Sequence, residues 1–186
     1  MDGATVVVIG SGGREHALCL ALSKSPLVDS IHCIPGNAGT EMIATNHHLD
    51  DTSNEGIVAF ASSVNASLVV VGPEAPLCDG LADLCSQSGL PCFGPVAALA
   101  HLEGSKLHAK QTMKSAGVPT AGFVELRPSS DVEAALDAYG SSPWVIKRDV
   151  LAGGKGVVVT SDREEAKAFI ASSIATDGMV LLEEFL

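Results

Sequence analysis

The stretch TVVVIGSGGREH, residues 5–16, joins a short β-branched run to a glycine-rich turn. The run TVVVI lacks polar alternation, which is typical of a parallel strand that is buried on both faces. Beyond the turn, apolar residues recur on one side of the segment from Glu15 to Leu22, as in a helix that packs against a sheet. A strand, a glycine turn and a helix in this order predict an α/β fold with an open parallel sheet.

The alternation of strands and helices continues through the first half of the chain. Thr52 and Glu55 form a capping-box pattern that predicts the start of a helix. Further short strands are predicted at SIHCI (30–34), LVVV (68–71) and PCFG (91–94). Repeated units of this kind predict helices on both faces of the sheet.

Loops rich in glycine and proline follow these strands. They are GSGGREH (10–16), PGNAGT (35–40), GPEAPL (72–77) and FGP (93–95). Ligands of open parallel sheets bind outside the carboxyl ends of the strands. Because glycine lets backbone N–H groups approach an anion, and a helix N-terminus favours phosphate, these loops predict a phosphate-binding edge.

Arg14 is one of only two bases in residues 1–100, the other being Lys24. A fixed cation beside a glycine cradle favours a phosphorylated small molecule as the ligand. A plain strand-to-helix turn is the alternative for this loop taken alone. In the third loop, Glu74 has two open roles, a contact with a ligand or a helix-capping carboxylate.

A nicotinamide-dinucleotide site is the less favoured interpretation of the same loop. GSGGRE matches the first two glycines of the dinucleotide-binding fingerprint, but Glu15 stands where the third glycine permits close helix–strand packing. The second predicted strand ends in Pro35-Gly36 instead of an acidic residue. An NAD-dependent oxidoreductase therefore ranks below the phosphate-binding interpretations.

Composition narrows the classes of partner. The 186 residues are 46% hydrophobic and 18% charged, with a formal net charge of −11, which indicates a folded core and argues against a nucleic-acid partner. Since no apolar run approaches the roughly 20 residues of a membrane span, and the start lacks signal-peptide features, we expect a cytoplasmic protein without a membrane partner. The five cysteines show no zinc-type spacing, so no metal site is predicted.

The sequence pattern changes near residue 103. Two helical stretches run almost together and end at Gly117, after which Ser130 with Glu133 and Ser161 with Glu164 form two more capping patterns. Strands are predicted at TAGFVEL (120–126), PWVIKR (143–148), GVVVT (156–160) and MVLLEEFL (179–186). We therefore predict two domains, residues 1–103 and 104–186.

A glycine-rich turn, GGKG (153–156), separates two of these strands, and Lys147 ends the first of them. A mobile glycine backbone with a lysine on each arm can lie over a triphosphate. It is not a Walker A loop, because Lys155 is followed by Gly156 and a strand. A solvated hairpin is the alternative, and LLEEFL taken alone predicts an edge strand with an exposed acidic end.

Nine segments in order and register together resemble the phosphoribosylamine–glycine ligases (glycinamide ribonucleotide synthetases) of the ATP-grasp superfamily. They are VIGSGGREHAL, PGNAGT, VVGPEAPL, CFGP, LEGSK, GVPTA, VIK, LAGGKGVVV and LLEEFL. The resemblance implies a Rossmann-like (pre-ATP-grasp) domain over 1–103. It implies the beginning of an α+β ATP-grasp module over 104–186, made of a linker helix and a small lid subdomain.

The resemblance also implies a function in de novo purine synthesis. The family joins glycine to 5-phosphoribosylamine with ATP and Mg²⁺, through a glycyl phosphate. The implied ATP-binding residues are Lys106, Lys147, Gly153, Gly154, Lys155, Gly156, Glu183, Glu184 and Leu186, with the loop 152–156 covering the phosphates. The implied phosphoribosylamine-binding residues are Gly12, Gly13, Arg14, Asn37, Gly39, Pro73 and Glu74.

By the same resemblance, the metal-binding acids and the main catalytic wall lie beyond Leu186. We therefore expect a truncated ligase that is inactive alone, with a complementary carboxyl-terminal chain as a candidate partner. A non-catalytic module that binds a phosphoribosyl group or a nucleotide is the alternative from another functional class.

Two departures from the family pattern bear on ATP binding. Val150 stands where the family has a glycine, and a β-branched residue is strained there if the position requires a positive φ. Residues 174–178 lead straight into the last strand, where the family has a longer part of its lid. The first departure predicts impaired closure of the loop, and the second predicts weak nucleotide affinity.

Overall fold

The computed structural model describes residues 3–140, 143–151 and 153–186. The chain divides into two compact units, Met1–Ala100 and His101–Leu186.

The first unit is built on a five-stranded parallel sheet with the strand order β3-β2-β1-β4-β5. Its strands are β1 (Ala4–Gly10), β2 (Val28–Pro35), β3 (Thr45–Asn46), β4 (Leu68–Val71) and β5 (Cys92–Phe93). Its helices are α1 (Gly13–Leu22), α2 (Asn54–Ser63), α3 (Glu74–Cys78), α4 (Leu81–Gln87) and the first half of α5 (Ala97–Gly104), with a 3₁₀ turn at Thr40–Met42.

Alternate residues of β1 are buried on opposite faces of this sheet. Val7 and Ile9 pack in one cluster with residues of α2 and α4, whereas Val6 and Val8 pack in a second cluster with Cys19 of α1. The run TVVVI, which lacks polar alternation, is therefore a central strand that is covered on both faces, as its composition predicts. Since the strand order reverses between β1 and β4, their carboxyl ends flank a topological switch point.

The second unit is built on a four-stranded antiparallel sheet with the order β6-β9-β7-β8. Its strands are β6 (Phe123–Leu126), β7 (Trp144–Arg148), β8 (Val157–Thr160) and β9 (Val180–Glu183), and its helices are α6 (Lys106–Ser115), α7 (Val132–Ala138) and α8 (Arg163–Asp177). One face packs Ile146 and Leu182 against Ile170 of α8. The parallel and antiparallel sheets confirm the predicted fold class.

The edge-strand interpretation of LLEEFL is wrong. β9 pairs with β6 on one side and with β7 on the other, so it lies inside the sheet. Its last residue, Glu183, is buried. Residues 174–177, singled out as part of a short lid, are the last turn of α8, which ends at Gly178 in a left-handed conformation with φ of 81°.

Over the described ranges, the structure contains no helix that combines the length and the apolar character needed to cross a membrane.

Candidate functional site: two glycine-lined regions

Glu15 fills the space between two strand ends of the first unit. Its side chain is only 5% exposed and accepts a hydrogen bond from the Gly12 N–H at 2.5 Å. A Cβ atom added at Gly72 would lie 1.9 Å from Glu15 Oε1, and one added at Gly10 would lie 2.6 Å from Glu15 Cδ. The glycines that end β1 and follow β4 are therefore needed because a buried carboxylate lies between them.

Arg14 connects the loops that follow β1 and β4. Its Nη1 lies 3.2 Å from Glu74 Oε1 and its Nε lies 3.3 Å from Glu15 Oε1. The hydrogen bond with Glu74 raises the pKa of the Arg14 guanidinium. Backbone hydrogen bonding at Glu74, followed by the bond from Arg14, lowers the pKa of the Glu74 carboxyl. Because the Arg14 side chain remains 56% exposed, its guanidinium is still accessible to an anion.

Asn37 connects the loops that follow β1 and β2. Its Nδ2 donates to the carbonyl oxygens of Ser11 at 2.9 Å and Gly12 at 3.0 Å. Its Oδ1 accepts from the N–H groups of Gly39 at 2.7 Å and Thr40 at 3.0 Å. The Asn37 side chain thus holds the first two glycine loops together by hydrogen bonds with their backbone groups.

A cavity of about 550 Å³ opens at this edge of the sheet. Of the residues predicted to bind phosphoribosylamine, Gly12, Arg14 and Pro73 line it. Four others lie outside its lining: Gly13 is the first residue of α1, Glu74 the first of α3, and Asn37 and Gly39 lie in the second loop. The lining also includes Glu15, Ile34, His48, Leu49, Thr52 and Ile57, which sequence reasoning did not select for this role.

Glu15 could have been found from its spacing. It is the third residue of α1, and its carboxylate accepts from the N-cap residue Gly12, as the acidic member of a capping box does. His48 and Thr52 lie in an irregular segment between β3 and α2. Nothing in the sequence marks His48, and the pattern at Thr52 indicated a helix start and not a binding site.

In the second unit, Glu183 is the centre of a cluster of charged side chains. Its Oε2 lies 2.9 Å from Lys147 Nζ and 2.8 Å from Lys110 Nζ. Glu183 and Lys147 were selected from the sequence, whereas Lys110 was not. Lys110 lies in a polar stretch of α6 and nothing in its spacing distinguishes it from the exposed lysines around it.

Lys106 lies at the first position of α6 and donates to the Val150 carbonyl at 3.0 Å. The carboxylate of Asp149 accepts from the Ser105 hydroxyl at 2.9 Å and from the Leu107 N–H at 3.0 Å. The start of α6 and the loop after β7 are therefore held together by three hydrogen bonds, which bring Lys106 to the beginning of the glycine-rich turn.

The glycine-rich turn has the conformation that only glycine adopts easily. Gly153 and Gly154 have φ values of 53° and 83°, and a Cβ added at either would meet nothing within 4 Å. The Gly156 carbonyl accepts from Arg148 N at 2.8 Å, which closes the hairpin, and Lys155 is exposed. Ala152, the first residue of the predicted covering loop, lies outside the described residues.

The strain expected at Val150 is absent. In the part of the chain that the structure describes, Asn65 is the only non-glycine residue with a positive φ. Val150 therefore does not have the positive φ at which a β-branched residue would be strained.

Two of the implied ATP-binding residues, Glu184 and Leu186, follow β9. The N–H of Glu184 donates to the Gly122 carbonyl at 3.0 Å and its Oε1 accepts from the Gly122 N–H at 2.8 Å. These bonds hold Glu184 against the segment before β6. The N–H of Glu184 is therefore already used in a hydrogen bond within the protein. Leu186 is 87% exposed.

Two family models match the chain over nearly its whole length. Residues 4–103 match the phosphoribosylglycinamide synthetase N domain, and residues 104–186 match the ATP-grasp (A) domain of the same family. The phosphoribosylamine–glycine ligase of Mycobacterium tuberculosis is 49% identical over 185 residues, which are 97% of this chain and 44% of that protein. The chain thus spans less than half the length of this relative.

Solved structures show the same fold. The crystal structure of a phosphoribosylamine–glycine ligase from Thermotoga maritima is 34% identical, with a TM-score of 0.75 over 98% of this chain and 44% of that one. N5-carboxyaminoimidazole synthetase from Staphylococcus aureus, solved with ADP, has a TM-score of 0.76 over 99% of this chain and 48% of its own, at 19% identity.

Proposed function

Because the chain belongs to the phosphoribosylglycinamide synthetase family, we propose that it forms the phosphoribosylamine-binding domain and the first part of the nucleotide site of a phosphoribosylamine–glycine ligase. In the proposed reaction, the carboxylate of glycine takes a phosphoryl group from ATP, and the amine of 5-phosphoribosylamine then displaces phosphate. The products are glycinamide ribonucleotide, ADP and phosphate.

One observation carries the phosphoribosylamine side of the proposal. Arg14 and Asn37 join the loops after β1, β2 and β4 at the switch point, beside a cavity of about 550 Å³. Ligands of doubly wound sheets bind at this position. The N-terminus of α1 and the accessible guanidinium of Arg14 together favour a phosphate there. Gly12, Gly13, Asn37, Gly39, Pro73 and Glu74 complete the proposed site.

The nucleotide side is proposed for the second unit. Lys106 and Lys147 would neutralise phosphate oxygens, and the turn Gly153–Gly156 with Lys155 would cover them. Glu183, Glu184 and Leu186 would lie beside the adenine. When bound, ATP supplies the phosphoryl group that activates glycine.

The proposed reaction also uses Mg²⁺. In residues 3–140, 143–151 and 153–186, no group of three or more His, Cys, Asp or Glu side chains could hold a metal ion. We assign no residue of this chain to Mg²⁺ and derive no step through it.

The proposed partners are small molecules, namely 5-phosphoribosylamine, glycine and ATP, and the proposed compartment is the cytoplasm. The net charge of −11 supports the absence of nucleic acid from this set. A complementary carboxyl-terminal chain stays in the proposal as a candidate partner.

Calorimetry with ribose 5-phosphate and with ATP tests this function. We expect saturable heat from both ligands. Arg14→Gln should weaken the binding of ribose 5-phosphate at least about tenfold, because a charged contact with phosphate contributes about 1.5–3 kcal/mol. The affinity for ATP should not change. The absence of heat from both ligands would contradict the proposal. A coupled assay for ADP release with glycine and phosphoribosylamine tests the expectation that this chain is inactive alone, and robust turnover would contradict that expectation.

A further inference from the structure

Glu183 is a carboxylate buried within the sheet of the second unit. Its side chain is 2% exposed, and only Oε2 is paired, with two lysines. Oε1 is buried and has no hydrogen-bond partner among the described residues. A buried carboxylate is unfavourable unless cations compensate it, so the lysines are what allow Glu183 to occupy this position.

The two lysines differ in their surroundings. Lys110 is 9% exposed, and its Nζ also donates to the Ala121 carbonyl at 3.1 Å and lies 5.7 Å from the centroid of the Phe123 ring. Lys147 is 28% exposed. Lys110 is therefore enclosed by protein on several sides, whereas the ammonium of Lys147 has access to solvent.

The register of the sheet explains why these groups meet. Lys147 lies opposite Leu181 in the pairing of β7 with β9, and Glu183 comes two residues after Leu181, so both charged side chains lie on one face as diagonal neighbours. Phe123 lies opposite Glu183 in the pairing of β6 with β9, and thus on the same face. Lys110 reaches this face from α6.

We propose that Lys110 is a positioning residue for the nucleotide site, which neutralises Glu183 so that the charge of Lys147 is available to a phosphate. Two ammonium groups share a single carboxylate oxygen, which leaves one excess positive charge on the solvent-accessible side. Without Lys110, Glu183 would take Lys147 as its only counter-ion, and the cluster would have no excess charge. This inference rests on the proposed function, in which Lys147 contacts nucleotide phosphates.

Inorganic triphosphate is the probe, because it reports phosphate affinity without the adenine contacts assigned to Glu183. We expect Lys110→Met to weaken triphosphate binding about tenfold in calorimetry, a loss of about 1.4 kcal/mol. The double variant Lys110→Met/Glu183→Gln removes both the lysine and the carboxylate, so triphosphate affinity should return to within about threefold of the original. Lys110→Arg keeps the charge and is the matched control.

A purely structural role for Lys110 predicts a different pattern. The double variant would then bind as weakly as Lys110→Met, and that result would overturn the inference. If Lys110→Met does not fold, Glu183→Gln alone decides, because it frees Lys147 from its competing carboxylate. Glu183→Gln should strengthen triphosphate binding, and an unchanged affinity would overturn the inference.

The acylation rate of Lys147 separates this inference from the proposed function, because it requires no ligand. Acetic anhydride labelling read by mass spectrometry should be slower at Lys147 in Lys110→Met and recover in the double variant. If that pattern holds while the unmodified chain binds no triphosphate, the nucleotide function fails, whereas the effect of Lys110 on the charge available at Lys147 stands. If the chain binds triphosphate but Lys110→Met changes neither affinity nor labelling, the positioning role fails and the function stands.

Discussion

At Gly72, one added methyl group would lie 1.9 Å from Glu15 Oε1, which is far inside any contact between non-bonded atoms. The carboxylate cannot easily withdraw, because its Oε2 accepts from Gly12 and its side chain is almost fully buried. The space at this strand end is therefore filled by the carboxylate, and a single added methyl group here should lower the free energy of unfolding.

Gly72→Ala should lower the free energy of unfolding by about 1–3 kcal/mol, because either the carboxylate or the strand end must move. Gly13→Ala is the matched control, since its Cβ would meet nothing within 4 Å and alanine favours a helix. Urea denaturation followed by circular dichroism measures both. Equal effects of the two substitutions would contradict the close approach of Glu15.

Arg14 could be selected from the sequence because it lies within a glycine-rich loop next to a predicted strand end, whereas Asn37 was selected by the family resemblance. The burial of Glu15 and Lys110 could not be predicted, because each depends on groups far along the chain, Gly72 in one case and Glu183 in the other. A local pattern shows that an acid or a lysine is present, but not whether the fold encloses it.

Helix starts show how local the errors of sequence interpretation are. The three capping patterns predicted N-caps at Thr52, Ser130 and Ser161. In the structure the N-caps are the next residues, Ser53, Asp131 and Asp162, and each side chain accepts from a backbone N–H of the first turn. Where two adjacent residues can both act as the N-cap, the sequence does not decide between them, and the helix start depends on the path of the preceding chain.

The cap of α8 gives a direct test. Asp162 accepts from the N–H groups of Glu164 at 2.9 Å and Glu165 at 3.2 Å, so Asp162→Ala should destabilise the second unit by about 1 kcal/mol. Ser161→Ala, the position that the sequence favoured, is the control and should have almost no effect. Thermal unfolding followed by Trp144 fluorescence measures both, and a larger loss in the Ser161 variant would restore the earlier assignment.

A bidentate ion pair joins the end of β7 to the end of α8 and should make stability depend on pH. Arg148 Nε and Nη2 lie 2.6 and 2.8 Å from the two oxygens of Asp177, and this hydrogen bonding lowers the pKa of the Asp177 carboxyl below 3.8. A carboxyl with a lowered pKa in the folded state stabilises above its unfolded-state pKa, and that contribution is lost as pH falls through the folded-state value.

Asp177→Asn should therefore lower Tm at pH 7, and the difference from the original chain should shrink as pH falls below the unfolded-state pKa of about 3.9. Glu164→Gln, which removes an exposed pair with Lys167, is the control and should leave Tm nearly unchanged at both pH values. A difference that persists unchanged in acid would show that the asparagine acts through packing instead of charge.

Most strand positions were predictable, because burial on both faces produces apolar runs such as LVVV. The short strand β3 and the strand order were not predicted. One acid, Glu183, ends β9 and a second, Glu184, follows it, a pattern that resembles an exposed edge, yet β9 lies between β6 and β7. The acid is tolerated inside the sheet because two lysines from other elements compensate it, and no local pattern contains that information.

At the scale of the whole molecule, each unit contains its own probe of unfolding. All five cysteines lie in the first unit, and the single tryptophan, Trp144, lies in the second. Burial raises the pKa of Cys19 and of Cys92 to about 12, so neither thiol is ionised appreciably near neutral pH. Reaction of these thiols with a disulfide reagent at pH 8 should therefore require opening of the first unit.

Each proposed ligand should protect the unit that binds it, because a ligand that binds only the folded state stabilises it by RT ln(1 + [L]/Kd), about 2.7 kcal/mol at one hundred times Kd. Ribose 5-phosphate should slow the labelling of Cys19 and Cys92 in urea. It should have a smaller effect on the urea midpoint of the second unit, followed by Trp144 fluorescence. ATP should give the reverse pattern. Glycerol 2-phosphate, which carries the same charge without the ribose, controls for a general effect of anions. Protection of the cysteines by ATP alone would place the nucleotide on the parallel sheet and contradict the assignment of the two glycine-lined regions.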